Sequence, residues 1–474
     1  MGREIKANYE QTILLPRNIE DWLPADHPAR FIREFIDSQD LRGLGFKASE
    51  TEVGRPLYSS DMLAKMWIYG FYTGIKTSRK LEKACLENIA LIWLTGMNYP
   101  DHNTLWRFFR DNKDVLEKLT HGSVRVAIHV GLIGLVLHAI DGTKIPARSS
   151  KDKALHRKAL EKLLKEVDAK IGDLFENVER AEAEGGQEFR MPPELEDVQK
   201  RREKIQEGLK ELDEANKNHL HPSEPEVNMV KTRREGITLG YNAQAVADAK
   251  SGLIVAHDVV TDENDAKQLV PMLDKVKETL GAVAEENVAD SGYNSLKEIS
   301  KAEEQGYEIL TPVGNKEDTS GDKGEFDFSK FRYEKEKDLY ICPLGKELIF
   351  EREEKRTDSE YSRRIYRCKS YKECPYRNEC SKDKKGRTIK VSEYHNVVEK
   401  QREKQKDPEK KKLMGMRKQI IEPVFARIKE GFGFRRFTVA GLRNAKAQWA
   451  FACLIYNLSI LYKHWLQGGL LFAT

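Results

Sequence analysis

The sequence predicts an α/β protein with a helical N-terminal region, a central sheet and two insertions within that sheet. Apolar residues follow helical spacing up to about residue 125, and apolar runs rich in β-branched residues then begin at Leu135 and recur up to residue 313. Two long, highly charged stretches interrupt these runs. We therefore expect a helical domain at 1–125, a central domain assembled from 126–150, 228–313 and 405–474, a helical hairpin inserted at 151–227 and a cysteine-containing subdomain inserted at 314–404.

The composition indicates a charge-rich protein of a reducing compartment. The chain has 474 residues, of which 39% are hydrophobic and 33% charged, and is long enough for two or three domains. No apolar run approaches the roughly 20 residues that span a membrane, and the polar start from Met1 to Gln11 is not a signal peptide. Six cysteines in so long a chain are not a secreted disulfide framework. We expect a cytoplasmic protein with no membrane partner.

The charge is concentrated in the C-terminal third. Residues 361–450 contain 26 lysines and arginines against 10 aspartates and glutamates, a balance of +16. Because the whole chain carries +4, the remainder carries −12. Such a basic segment on an otherwise acidic chain indicates a polyanionic partner, and nucleic acid is the partner that fits best.

The N-terminal region predicts three short helices. The first follows Pro56 and ends near Tyr72, the second runs from Thr77 toward Leu94, and residues 101–104 (DHNT) cap the third. Basic residues on the third helix are compatible with a helix-turn-helix-like DNA-binding domain. An ordinary helical bundle without a ligand fits these features equally well.

One apolar stretch of the sequence leads directly into an acidic residue. Residues 135–145 (LVLHAIDGTKI) form an apolar run that reads as a buried strand and reaches Asp141. Burying an unpaired carboxylate costs several kcal/mol, so Asp141 needs a base, a hydrogen-bond network or a metal ion. The alternative is a turn aspartate, because Asp-Gly is a common turn pair.

The later elements fit one fold. Residues 240–248 and 253–260 predict a hairpin, Asn264 and Asp265 begin an amphipathic helix to Leu280, and a short strand ends at Asp290. A helix at 296–305, a strand at 307–313 and a closing helix at 445–463 follow. This order, with an aspartate at the end of two strands, is that of a ribonuclease-H-like α/β domain.

Four of the cysteines are clustered in the second insertion. Cys342, Cys368, Cys374 and Cys380 could bind one structural Zn²⁺ tetrahedrally. The five-residue gaps between the last three are wider than zinc sites usually have, so metal binding, free thiols and mixed use all remain open.

A third carboxylate lies on the predicted helix that includes residues 416–429. If this helix is continuous, Lys418 and Lys429 share a face with Glu422, which suits a phosphate-binding site or a solvated salt-bridge face. Pro423 predicts a break or a first-turn position there.

Asp141, Asp290 and Glu422 together suit metal-assisted chemistry on a phosphodiester. Attack on a DNA phosphate needs an activated nucleophile and neutralised charge, and two Mg²⁺ ions can supply both. Mg²⁺ prefers a few carboxylate oxygens, waters and the substrate phosphate. We expect these three residues to be the catalytic and Mg²⁺-binding residues.

The chain resembles the DDE transposases of bacterial insertion sequences over nearly its full length. The matching motifs are PLYSSDML and DHNTLWRFFR near the start, AIDGTKI, GYNAQAVAD and VADSGYNS around the two aspartates, and IIEPVFARIKEGFGFRRF around Glu422. The resemblance implies Mg²⁺- or Mn²⁺-dependent strand cleavage and strand transfer, with terminal inverted repeats and target DNA as partners. It also implies a homodimer synapsed on DNA in the nucleoid. The candidate DNA-binding residues are Lys144, Arg417, Lys418, Lys429, Arg435 and Arg436.

The chain departs from some of these relatives, which carry a tyrosine seven residues before the catalytic glutamate, at Gly415. The arginine of the motif is matched by either Arg417 or Lys418. A ribonuclease-H-like nuclease without strand transfer and a non-catalytic, transposase-derived DNA-binding protein remain alternatives. A glycosidase with paired carboxylates would not explain the basic C-terminal third.

Overall fold

The computed structural model describes residues 18–46, 57–151, 154–183, 193–214, 219–221, 223–312, 325–334, 336–355, 362–381, 383–392, 394–470 and 472. These residues form a mixed α/β protein, as the sequence predicts. The N-terminal helices are α1 (Pro28–Asp37), α2 (Leu41–Leu44), α3 (Ser60–Tyr72), α4 (Ser78–Glu87), α5 (Ile89–Leu94), α6 (His102–Asp111) and α7 (Lys113–His129).

Local capping sets the N-terminal helix boundaries. The Asp101 side chain accepts hydrogen bonds from the backbone N–H groups of Asn103 and Thr104 and so begins α6 where the sequence predicts a start. The second predicted helix is instead two helices, because the Asn88 side chain accepts from the backbone N–H groups of Ala90 and Leu91 and starts α5. The N-terminal helices share one hydrophobic cluster with the central sheet and the C-terminal helix.

The central sheet has six strands and is covered on both faces. Its strands are β1 (Leu137–Pro146), β4 (Asn228–Thr232), β5 (Gly236–Asp248), β6 (Ile254–Val260), β7 (Glu286–Ala289) and β8 (Ile309–Leu310). Along the sheet the order is β4-β5-β1-β7-β8, and β6 also pairs with β5. The β1–β5 and β5–β6 pairs are antiparallel, whereas β1–β7 and β7–β8 are parallel. The central strand β1 therefore joins the antiparallel part of the sheet to its parallel part.

Alternating residues of β1 face two different hydrophobic layers. Leu137, Ala139 and Ile145 pack with α14 (Pro408–Ala426) and α15 (Leu442–Leu466). Ile140 packs on the other side with α10 (Leu269–Leu280) and α11 (Leu296–Glu304). The sheet thus has an α14 face and an α10 face.

The first insertion follows β1 in the chain. A short two-stranded ladder of β2 (Leu155–His156) and β3 (His219–Leu220) encloses α8 (Arg157–Ala183) and α9 (Pro193–Glu214). The two helices pack through Leu160, Val167, Ile205 and Leu212, and the Arg202 guanidinium lies 2.6 Å from the Asp168 carboxylate. The segment between these two helices, 184–192, lies outside the described residues.

The second insertion contains a five-stranded antiparallel sheet that the sequence did not indicate. Its strands are β9 (Arg332–Glu334), β10 (Leu339–Ile341), β11 (Glu347–Lys355), β12 (Ser362–Cys368) and β13 (Thr388–Ser392), with the short helix α12 (Arg377–Cys380) beside them and α13 (His395–Lys406) after them. The outer positions of these strands carry charged side chains, so no apolar run marks them. In the described part of the chain, no helix is long and apolar enough to cross a membrane.

His138 on β1 provides a test of this core. Its side chain is 0% exposed, and burial lowers the pKa of the imidazole to about 4, against a smaller opposing effect of Asp248. The unfolded chain binds a proton near pH 6.5 that the folded chain excludes, so stability is lost as the pH falls from about 6.5 toward 4. Between pH 7 and pH 5, the unfolding free energy of His138→Leu should fall by about 2 kcal/mol less than that of the wild type. Denaturant titration at both pH values measures it, and exposed His129→Gln is the control. Equal losses in His138→Leu and the wild type would contradict the prediction.

Candidate active site

Two aspartates emerge where the parallel pairing of β1 and β7 ends. The last paired residues are Ile140 of β1 and Ala289 of β7, and Asp141 and Asp290 are the next residues on each strand. Because parallel strands run in the same direction, the two carboxylates leave the sheet at the same place. Asp141 still pairs with Ala245 of β5 and lies within β1, so the alternative of a turn aspartate is wrong.

The Asp141 carboxylate is 16% exposed and held by two donors. The backbone N–H of Gly142 donates to Oδ1 at 2.8 Å, and Arg417 of α14 donates to Oδ2 at 2.6 Å. The pKa of Asp141 is raised to about 6, chiefly by burial and in part by the nearby Asp290 charge, while Arg417 opposes the rise. The site therefore concentrates negative charge that one guanidinium offsets only in part.

Asp290 begins a 3-10 turn, Ser291–Tyr293. Its Oδ1 accepts a hydrogen bond of 2.8 Å from the backbone N–H of Gly292, and its carbonyl oxygen accepts one of 3.1 Å from the Thr311 hydroxyl. The same turn buries Tyr293, whose pKa is raised well above its usual value by burial and by Asp265, Asp141 and Asp290. The backbone N–H of a glycine that follows each aspartate thus orients its carboxylate.

The helix α14 lies across the sheet and directs the two candidates for the motif arginine, Arg417 and Lys418, to different sides. Arg417 turns inward to Asp141, whereas Lys418 and Glu422 lie one turn apart on its exposed surface. Glu422 makes no hydrogen bond or ion pair with the residues that the structure describes. Asp141, Asp290 and Arg417 are therefore brought together, and Glu422 lies on the solvent side of the helix that covers them.

The helix does not break at Pro423, which lies inside α14. It changes form further on, because residues Arg427–Gly431 make a π-helical turn. A π turn holds more residues than an α turn, so Lys429 leaves the stripe of Lys418 and Glu422. Its ammonium instead donates to the Thr143 hydroxyl and the Lys144 carbonyl of β1. The expected alignment of three side chains therefore holds for Lys418 and Glu422 only.

The other predicted DNA-binding residues have acidic partners. Lys144 lies 3.3 Å from an Asp265 carboxylate oxygen on the α10 face. After the π turn, Arg435 pairs with Glu430, and Arg436 pairs with Glu235 at 2.5 Å. These three cations are therefore partly neutralised in the free protein.

The structure adds residues that the sequence interpretation missed. The amphipathic helix begins at Leu269, five residues later than Asn264, so Asp265 lies in the preceding loop. Its Oδ1 accepts hydrogen bonds from the side chains of Asn242 and Gln244 on β5, at 2.6 and 2.7 Å. A signal existed in the sequence, because two amides two residues apart in an otherwise apolar strand share one face of the sheet and need partners when buried.

The four cysteines of the second insertion come together at one end of its sheet. Cys368 ends β12, where its N–H donates to the Arg387 carbonyl, and an Arg387 guanidinium N–H donates to the Cys380 carbonyl, both at 2.9 Å. The pKa of the Cys380 thiol is raised chiefly by burial and further by Cys342, Cys374 and Cys368. All four are free thiols. Within the described ranges, no group of three or more His, Cys, Asp or Glu side chains is arranged as a ready metal cage.

Two family comparisons bear on this site. Residues 341–462 match the family described as "Transposase DDE domain", and residues 17–111 match "Transposase domain (DUF772)". These matches indicate a DDE-type transposase of the insertion-sequence kind. The DDE match includes Glu422 and the four clustered cysteines, whereas Asp141 and Asp290 lie outside it. A comparison with curated proteins found no match.

The predicted family is thereby confirmed. A DDE transposase is an enzyme of the polynucleotidyl transferase and endonuclease class, acts on DNA and generally uses divalent metal ions. Its DDE domain implies a ribonuclease-H-like fold, and a central β1 flanked by antiparallel β5 and parallel β7 agrees with that fold.

Proposed function

We propose that this transposase cleaves DNA at the ends of its element and transfers those ends into target DNA, with Asp141, Asp290 and Glu422 as the catalytic carboxylates. The observation that carries this proposal is the adjacency of Asp141 and Asp290 at the end of the β1–β7 pairing. The pKa of Asp141 is raised chiefly by burial, and the nearby Asp290 charge adds to this effect, so a bound cation would stabilise the charged carboxylates.

Mg²⁺ fits this pair of aspartates. Mg²⁺ is usually held by one or two carboxylates, with waters and substrate phosphates completing its shell, rather than by an all-protein cage. Two carboxylates match that preference, and the described residues form no larger group of His, Cys, Asp or Glu side chains around them. When bound, the metal would activate the attacking oxygen and stabilise the leaving oxygen of the phosphodiester.

Residues of the protein would orient the two aspartates and position the DNA. The backbone N–H groups of Gly142 and Gly292 orient the two aspartates, and Arg417 balances their charge. Lys418 lies one turn from Glu422 on the exposed surface of α14, where a DNA strand could reach both. Glu422 would then complete the site once DNA is bound.

The remaining regions have proposed roles in recognition and assembly. The helical N-terminal domain, 1–125, would bind the terminal inverted repeats as double-stranded DNA, with exposed Arg107 and Arg110 on α6. The synapsed form would be a homodimer associated with the nucleoid. The segments 126–150, 228–313 and 405–474 would form the catalytic domain.

We also propose that Cys342, Cys368, Cys374 and Cys380 hold one structural Zn²⁺ in the second insertion. The four thiols lie within electrostatic reach of one another at the end of a small sheet. Cys374 follows the 3-10 turn Ser370–Glu373, and Cys380 ends the short helix α12. Four thiolates can hold one Zn²⁺ tetrahedrally. The metal would stabilise the insertion and take no part in the reaction.

The first prediction concerns the carboxylates. Asp141→Asn, Asp290→Asn and Glu422→Gln should each lower Mg²⁺-dependent cleavage of end DNA by at least about 10²-fold, the scale for losing a charge-stabilising group. Binding to end DNA should stay near the wild-type level. Glu409→Gln, an exposed glutamate in the first turn of α14, is the matched control. Near-native cleavage by any one variant removes that residue from the site, and cleavage without joining would favour a nuclease.

The second prediction concerns Lys418. Each ammonium on a phosphate releases a counterion, so Lys418→Ala should lower the magnitude of the slope of log K against log[salt] by about one for specific and random DNA alike. Lys210→Ala, on the inserted hairpin, serves as the control with an exposed lysine. Filter binding at four salt concentrations measures the slope. An unchanged slope in Lys418→Ala would contradict the phosphate contact.

The third prediction concerns zinc. Purified protein kept reduced should contain about one zinc per chain, and Cys368→Ser should lose both the metal and part of its thermal stability. Cys453→Ala, which removes a buried thiol of α15, should keep the zinc. Elemental analysis measures the content. Zinc far below one per chain in the wild type would contradict the site.

A further inference from the structure

Asp265 lies behind the catalytic strand, on the opposite face of the sheet from Arg417. In the β1–β5 register, Gly142 pairs with Gln244 and Lys144 pairs with Asn242, so these four residues share the α10 face. Asp265 accepts hydrogen bonds on this face from both amides and, at 3.3 Å, from Lys144. One carboxylate oxygen thus ties the loop before α10 to two strands.

The space that Asp265 occupies depends on a glycine at position 142, and Gly292 borders it. A Cβ on Gly142 would lie 2.5 Å from Asp265 Oδ1 and 2.4 Å from Gln244 Nε2. A Cβ on Gly292 would lie 3.4 Å from Asp265 Oδ2 and 2.9 Å from Asp290 Oδ1. Asp265 therefore packs against both glycines that follow the catalytic aspartates in sequence.

Each of these glycines also orients an aspartate. Gly142 N–H donates to Asp141 Oδ1, and Gly292 N–H donates to Asp290 Oδ1, both at 2.8 Å. A second link runs from Asp265 through Gln244, whose Oε1 accepts the Tyr293 hydroxyl of the Asp290 turn. The side chains of Gln244 and Tyr293 are completely buried, so the link cannot be replaced readily by water.

We propose that Asp265 is a positioning residue of the catalytic site, which fixes the spacing of the Asp141 and Asp290 carboxylates from behind the sheet. This inference rests on the proposed function, since it concerns how those carboxylates receive a divalent cation. Asp265 itself does not contact the reacting atoms. It acts through Gly142 on one strand and through Gln244 and Tyr293 on the turn after the other.

The matched control lies in the same loop. Asp262 Oδ2 accepts a hydrogen bond from Gln268 at 3.0 Å and contacts neither β1 nor the Asp290 turn through the bonds of the described residues. Asp262→Asn therefore removes a loop carboxylate without touching the network. Asp265→Asn keeps the shape and loses the charge, and Asp265→Ala loses the acceptor as well.

The test measures metal binding apart from activity. Mn²⁺ binding to the free protein, followed by calorimetry, should weaken by about 10- to 100-fold in Asp265→Ala, the range for residues that orient metal ligands. Asp265→Asn should fall between Asp265→Ala and the wild type, and Asp262→Asn should bind as the wild type does. The Mg²⁺ concentration for half-maximal cleavage should rise in the same order, while end-DNA binding changes less than about twofold.

The outcomes separate the two proposals. If Asp265→Asn and Asp265→Ala bind Mn²⁺ as the wild type does, or if any loss only parallels that of Asp262→Asn, the positioning role is wrong. If Asp265→Ala fails to fold, Asp265→Asn decides the question. If Asp141→Asn binds Mn²⁺ like the wild type, the proposed metal site fails, and the inference about Asp265 fails with it. Loss of Mn²⁺ binding in Asp141→Asn with retention in both Asp265 variants overturns the inference alone.

Discussion

The structure depends on the parallel pairing of β1 and β7, which brings two carboxylates to the same edge of a sheet. The pairing ends at Ile140 and Ala289, so Asp141 and Asp290 emerge together. Partial burial and mutual repulsion make this arrangement unfavourable, as the raised pKa of Asp141 indicates. The protein holds it in place because both sheet faces are packed, with α14 and α15 on one and α10 and α11 on the other. A rigid sheet can thus maintain a concentration of negative charge that a flexible loop would disperse.

The two faces of the sheet have different roles at the site. The α14 face carries the charged groups that meet solvent and, under the proposed function, DNA. The α10 face carries an interior network in which Asp265 and Gln244 link the two catalytic strands. Small residues beside each aspartate allow this network to approach the backbone closely, which explains a glycine at 142 within a strand. In this way, the reaction at the edge of the sheet would determine which amino acids can occupy positions that contact no substrate.

Much of the catalytic core could be predicted from the sequence, and the exceptions have physical reasons. The strand that carries Asp141 is marked by an apolar run, because both its faces are buried, whereas Asp290 follows a strand of only four residues, Glu286–Ala289. The sheet of the second insertion was missed because its strands are short and charged on one side. The two amides of β5 signal a buried partner, but Asp265 was missed as that partner because Gln244 and Lys144 are 21 and 121 residues away in sequence. The π turn after Ala426, which redirects Lys429, likewise depends on packing against β1 rather than on spacing.

The central claim is that Asp141 and Asp290 share a divalent cation. The most direct measurement is anomalous diffraction from crystals of the protein with end DNA and Mn²⁺, recorded at the manganese absorption edge. We expect a manganese peak within about 2–2.5 Å of a carboxylate oxygen of each aspartate, the usual range for hard cations and oxygen ligands, with Arg417 displaced from Asp141. A manganese peak elsewhere, with the Arg417–Asp141 ion pair intact and the two carboxylates without metal, would contradict it.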